Sequence, residues 1–335
     1  MSSRSSVVSS AGESVPPPSP SPADDVEPFS SQSQGTIVQL TENFRLNPDL
    51  GEFVSTIYSR QFKPQKVQAR QLAAALRTAG DVGSKKLLGT QAKILEAVQE
   101  FLIALSDVMF GEPQSVLVAP QLHSTTPTNL PAGTSEVAIT HRPVSLAMVR
   151  LRTWSSQTQH IGYESHVHGE AAVAAALVAS LWRCSPNDDI FVATPHRIQR
   201  EAVKAALARI NIQSNDAPLE EALERMQISQ PSTSRRVTVD TIERLQGSEA
   251  AFVICLFSLP KSFISDIGFL LERRRLNVAI RRAKTLCILV TSDEVLCPAV
   301  KLLANEETAK GYAFLKAFEQ RAWSYHLPVN IDKLS

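Results

Sequence analysis

Twelve residues, Arg273 to Lys284 (RRRLNVAIRRAK), carry five arginines and one lysine. Guanidinium is always charged and offers a fork of donors that matches phosphate oxygens, so arginines at this density suit phosphate binding or stabilisation of charge during phosphoryl transfer. Leu276, Val278, Ala279, Ile280 and Ala283 fit one apolar stripe of a short helix, which leaves Arg274, Arg275, Arg281 and Arg282 to point elsewhere. A solvated basic helix face would accommodate the same charges. Upstream, Gln246-Gly247-Ser248-Glu249 sets glycine between an amide and a carboxylate. That pattern serves a phosphate edge or a metal-bound water, and equally an ordinary turn. Thr194 before Pro195 has the form of a helix N-cap with proline at the first helical position, where an anion could meet the helix N-terminus.

The elements that must position these residues follow from the apolar pattern. Val237 to Asp240 reads as a short strand, Ala251 to Phe257 as a buried one, and Asp189 to Ala193 as a strand that leads through Thr194 and Pro195 into a helix. The run Thr285 to Thr291 is a further strand directly after the basic segment. Ser115 to Ala119 and Ser145 to Arg152 are strand-like and joined by a polar loop, Gln121 to Thr134. Residues 64–110 change to helical periodicity, with Val67, Leu72, Ala75 and Leu76 on one stripe and Leu87, Ile94, Leu95, Val98, Phe101, Leu102 and Leu105 on another. These stripes suit packing, or a partner-binding helix hairpin. His166-Val167-His168 lacks a third ligand for a metal and reads as a capping loop before an Ala-rich helix from Gly169 to Leu181, with Glu170 near its N-terminus. Residues 1–35, rich in Ser and Pro, are expected to be disordered.

The order of these pieces resembles the C-terminal RecA-like domain of superfamily 1 helicases of the nonsense-decay and Okazaki-fragment-processing type. TPHRIQ looks like motif IV, VDTIERLQGSE like motif V and RRLNVAIRRAK like motif VI. LTENFRLNP, from Leu40 to Pro48, with Phe53 and Tyr58 after it, is similar to the segment that opens the domain, with Asn47 where His is common. Asp266 to Leu270 also fits the family habit. The resemblance covers Thr36 to about Ser292. It implies a RecA-like α/β domain over residues 36–335, a mostly parallel sheet with helices on both faces and a helical insertion at about 64–110. It further implies that Arg45 and Arg282 reach the γ-phosphate of ATP, Arg282 as the arginine finger, and that Gln246, Gly247, Glu249 and Arg275 lie at the nucleotide. Thr194, Pro195 and Thr241 would lie by the nucleic-acid backbone. Arg281 stands where the family generally has Thr or Ser, which sets a second cation beside the finger.

A helicase motor also needs a P-loop, G-x-x-x-x-G-K-[ST], and an acidic pair for magnesium. None of the thirteen glycines belongs to such a loop. Gly83-Ser84-Lys85-Lys86 lacks the required order and reads as a helix-joining turn, and Asp293-Glu294 follows motif VI, where the family ends its last core strand. The expectation is therefore half of an ATP-dependent 5′→3′ helicase acting on single-stranded DNA or RNA. ATP and Mg2+ would be held mainly by a P-loop RecA-like domain supplied in cis or trans. A fragment of a longer helicase and a catalytically inactive nucleic-acid-binding or docking module are both compatible with that expectation.

Composition narrows the setting. The 335 residues are 43% hydrophobic with a net charge of +1, so any basic surface is local. Cys184, Cys255, Cys287 and Cys297 show no paired spacing and read as core thiols of a reducing compartment, nucleus or cytoplasm. No run approaches the roughly 18 apolar residues of a membrane helix.

Overall fold

A computed structural model describes residues 42–43, 46–55, 63–64, 72–81, 90–110, 144–214, 237–332 and 334. The expected tail at 1–35, the turn at Gly83 to Lys86, the strand Ser115 to Ala119, the loop Gln121 to Thr134, and Val67, Leu87, Tyr58 and Arg45 lie outside the described residues. In chain order the elements are β1 (Glu42–Asn43), α1 (Pro48–Ser55), β2 (Lys63–Pro64), α2 (Ala73–Arg77), α3 (Thr90–Phe110), β3 (Leu146–Trp154), α4 (Tyr163–Cys184), β4 (Ile190–Thr194), α5 (Arg197–Ser214), β5 (Val237–Thr241) and β6 (Ala250–Phe257). They continue with α6 (Ile267–Leu270), α7 (Arg273–Ile280), β7 (Ala283–Thr291), α8 (Asp293–Leu296), α9 (Glu306–Arg321) and β8 (Trp323–Asn330).

Strands β3 to β8 form one sheet in the order β5-β4-β6-β7-β3-β8, and every pairing in it is parallel. Because side chains alternate across a strand, the sheet feeds two cores. Ala147, Val149, Val192, Ile254 and Ile288 face a layer made by α2, α3, α4 and α5. Met148, Ala193, Cys255 and Leu289 face α1, α6, α7, α8 and α9 on the other side. Helices on both faces of a parallel sheet are the RecA-like α/β arrangement. Cys255 and Cys287 are buried free thiols with sulfurs 3.9 Å apart, whereas Cys184 is half-buried and Cys297 exposed, so the expectation of core thiols holds for two of the four.

The described parts of the helical stripes, in 72–81 and 90–110, serve packing. Ile94, Leu95, Val98, Phe101, Leu102 and Leu105 are all buried, and Phe101 stacks on Trp323 of β8 with centroids 5.5 Å apart. Ser106 donates to the Ala73 carbonyl at 2.7 Å, joining α3 to α2. Strand β8 was not anticipated, although Trp323, Tyr325, Leu327 and Val329 alternate with polar residues and proline. It occupies the sheet edge beside β3, a place where Pro328, which has no N–H to donate, is tolerated. Helix α9 passes so close to the turn before α7 that a Cβ on Gly311 would lie 1.4 Å from the Leu271 carbonyl oxygen.

Two local expectations are corrected. Helix α4 begins at Tyr163, not Gly169, so His166 and His168 are helical and Glu170 lies two turns inside the helix, fully buried. Helix α5 begins at Arg197, so Thr194 is not its N-cap and Pro195 is not its first residue. Thr194 pairs with Thr241 as the last residue of β4, and its hydroxyl donates to the Asp240 carbonyl at 3.3 Å. Gln199 instead accepts from the His196 amide at 3.2 Å, taking up one of the N–H groups that Thr194 would have capped.

Candidate functional site

Motif-like residues gather at two opposite ends of the sheet. At the amino ends of β6 and β7, Ala250 pairs with Ala283, and the Ala250 amide donates to the Arg282 carbonyl at 3.0 Å. This register sets Glu249 and Lys284 within an ion-pair distance of 3.6 Å. Arg282, two residues past α7, donates from Nε to the Val278 carbonyl at 3.1 Å and from Nη1 to the Ser248 carbonyl at 3.2 Å. Gly247 has φ +88°, the left-handed region that favours glycine, so the chain can turn there to enter β6. Gln246 is exposed on the same turn.

The segment that opens the domain is anchored to this edge. Asn47 is 2% exposed; its amide N–H donates to the Lys284 carbonyl at 3.1 Å, and its side-chain Nδ2 to the Ser145 hydroxyl and the Thr285 carbonyl, both at 3.1 Å. Asp49 accepts from the Ser145 amide, and burial raises its carboxyl above the usual range despite the Ser145 donors. The structure therefore fixes the chain two residues after Arg45 against the start of β7.

Thr194, Pro195 and Thr241 lie at the other, carboxyl end, on β4 and β5. Thr194 and Pro195 are buried, Thr241 is 9% exposed, and the Thr194 carbonyl accepts from the Ile242 amide at 3.1 Å. Residues 242–249 run back along one sheet face with Ile242 and Leu245 buried beneath them. They join an end level with Leu256 to one at Ala250, about 20 Å at the usual rise per strand residue. One continuous segment thus touches both groups of residues.

Arg275 belongs to neither end group directly. It lies seven residues before Arg282, about 10 Å away along the helix axis. It is paired to Glu243 and, at 2.8 Å, to Glu272, and its guanidinium sits 3.7 Å over the Phe269 ring. Phe269 in turn stacks on His196 with centroids 4.6 Å apart. Sequence reasoning missed this bracing, although an acidic residue following β5 and an Arg opening α7 were both visible.

It also missed a buried polar chain under the carboxyl edge. Glu170 accepts from the Ser258 hydroxyl and from Gln199 Nε2, each at 2.6 Å, and from the Ser258 amide at 3.2 Å. His166 meets Ser258 and Thr153 at 2.8 Å through its two ring nitrogens. Burial carries the Glu170 carboxyl up to about 7, outweighing those donors, and takes His166 down to about 4. No group of three metal-binding side chains occurs among the described residues. No described helix is long and apolar enough to cross a membrane.

A doubly covered parallel sheet with arginine, glutamate and glycine converging at one edge, in the order of motifs V and VI, fits a superfamily 1 helicase-type domain, and the comparisons with known proteins support that class. Residues 26–294 match the model of a family described as an AAA domain, and the chain belongs to that family. It is 29% identical over 129 residues to a regulator of nonsense transcripts 1 homolog of Neurospora crassa, covering 38% of this chain and 10% of that protein. It is 27% identical over 164 residues to the putative ATP-dependent RNA helicase ECM32 of Saccharomyces cerevisiae, covering 43% of this chain and 14% of that one. The matches thus span a small part of the relatives' length.

Proposed function

We propose that this domain is the C-terminal RecA-like half of an ATP-dependent 5′→3′ nucleic-acid helicase. It offers the amino edge of β6 and β7 to ATP and Mg2+ held on a P-loop domain that acts in cis or trans. The observation that carries this reading is the convergence of Arg282, Gly247, Glu249 and Lys284 on that edge, with Asn47 hydrogen-bonded to the start of β7 beside them. Arg282 acts as the arginine finger and Arg45 as the second γ-phosphate contact; Gln246, Gly247 and Glu249 line the nucleotide. Arg275 supports the site by bracing the motif V segment rather than by reaching phosphate. Thr194, Pro195 and Thr241 lie on the nucleic-acid side. One relative is a putative ATP-dependent RNA helicase, which favours RNA as the strand; the free thiols Cys255 and Cys287 favour a reducing setting, nucleus or cytoplasm.

The test joins this domain to a P-loop RecA-like domain of the same family and measures RNA-stimulated ATP hydrolysis and displacement of a duplex with a 5′ overhang. Stimulated turnover with duplex displacement supports the proposal. Salt-dependent binding of single strands without turnover in any pairing would favour an inactive binding module.

A further inference from the structure

A cavity of about 470 Å³ opens at the carboxyl ends of β3, β6 and β7. It lies at the end of the sheet opposite Arg282 and Glu249, outside the nucleotide edge described above. Its place in the winding is specific. β3 and β7 are neighbours, yet β3 leads into α4 on one face while β7 leads into α8 and α9 on the other. A crevice at the carboxyl ends of two parallel strands whose connections diverge in this way is where open α/β sheets receive ligands.

The cavity is built rather than left over. Its floor is His166, held through both ring nitrogens by Thr153 and Ser258, and Ser292, whose hydroxyl donates to the Leu259 carbonyl at 2.7 Å and accepts from the Leu259 amide at 3.1 Å. The loop between β3 and α4 forms one wall. It is fastened by Asp332, which accepts from Ser155 and Ser156, and by Ser262, which donates to the Ile161 carbonyl at 2.7 Å. Arg152 and Lys261 stand on the rim opposite in charge to Asp293 and Glu294, and none of the four forms an ion pair among the described residues. A volume of this size holds a small molecule with both apolar and polar surface.

We propose that this cavity binds one nucleoside monophosphate unit. Arg152 and Lys261 take the phosphate, and Asp293 and Glu294 accept hydrogen bonds from ribose hydroxyls or an exocyclic amine. The unit is either a free nucleotide or one residue of a bound strand. The second source rests on the nucleic-acid reading above: Thr194 ends β4 on this same edge, and β7 lies two strands away, about 10 Å at the usual strand spacing.

The test uses the whole chain, with AMP titrated calorimetrically and a fluorescent fifteen-residue oligouridylate titrated by anisotropy. Two variants are compared with the native sequence: Arg152→Ala with Lys261→Ala, which removes rim charge, and Ser262→Trp, which fills the mouth without changing charge. A tenfold or greater loss of AMP affinity in both variants supports the free-nucleotide source. The same loss seen only for the oligonucleotide supports the strand source. AMP binding without oligonucleotide binding would keep the cavity while removing the nucleic-acid reading. Oligonucleotide binding indifferent to both variants, with no AMP binding, would remove the cavity and leave that reading intact. Loss with the charge variant but none with Ser262→Trp overturns the proposal, since rim charge would then act only as a surface field. Binding of neither probe overturns it as well.

Discussion

The guanidinium of Arg282 donates from Nη1 to the carbonyl oxygen of Ser248 at 3.2 Å. Seven residues earlier, Arg275 pairs with Glu243. The helix of motif VI therefore holds the motif V segment near both of its ends. Both arginines are thereby tied to the segment that runs from Thr241 to Glu249.

In a pairing with a P-loop domain, Arg282→Ala should lower RNA-stimulated ATP hydrolysis by about 10³-fold or more, the scale on which arginine fingers act. Arg282→Lys should recover little, because a lysine lacks the fork that spans a phosphate. Steady-state turnover at saturating ATP checks this; unchanged turnover in Arg282→Ala would remove the assignment.

Glu170 and His166 make a pH prediction with opposing signs. The Glu170 carboxyl is raised from 4.5 to about 7, so between these values the folded state binds more protons and stability falls as pH rises. His166 is lowered from 6.5 to about 4, so over that interval the unfolded state binds more protons and stability rises with pH. From about 4.5 to 6.5 the two slopes oppose each other, and their contribution in the native chain should be nearly flat. Glu170→Gln should expose a stability that climbs with pH by roughly 3 kcal/mol, and His166→Gln one that declines. Urea midpoints at a series of pH values would show it; identical profiles for both variants would sink the idea.

Gly247→Val should cost about 1–2 kcal/mol, since φ +88° strains a branched residue while open space around the site removes any steric excuse. Gly247→Asn should cost less, because Asn tolerates this region. Thermal denaturation with Gly247→Ala added separates the causes: backbone strain makes Ala costlier than Asn, whereas packing would make the larger Asn costlier than Ala.

Gly311→Ala should destabilise by about 3 kcal/mol, because its methyl group would meet the Leu271 backbone rather than a movable side chain. The loss should appear in chemical denaturation together with weaker protection of the α7 amides from hydrogen exchange. A native-like melting curve would show that α9 can shift without cost.

Much of the architecture was legible because local pattern and tertiary role agree. The Arg273 to Ile280 helix and the Ala283 to Thr291 strand follow from an apolar stripe turning into an apolar run. Thr194-Pro195 misled because a cap signature competed with strand pairing to Thr241, and pairing prevailed. His166 looked like a loop residue because two histidines and a glycine mask helical periodicity; only its partners Thr153 and Ser258, distant in sequence, reveal why it is buried. The Asn47 tether to Ser145 joins residues 98 apart and has no local signal. The nucleotide-side assignments of Arg282 and Glu249 came from motif order; their proximity to Ser248 and Lys284 became visible only through the register of β6 and β7.

The proline on β8 bears on assembly. Pro328 sits in the outermost strand on one flank of the sheet, where a backbone without an N–H interrupts any ladder a foreign strand would try to build. Pro328 therefore disfavours growth of the sheet by a further strand on this flank. The P-loop unit proposed above would then meet the strand ends, where Arg282 stands, rather than this edge.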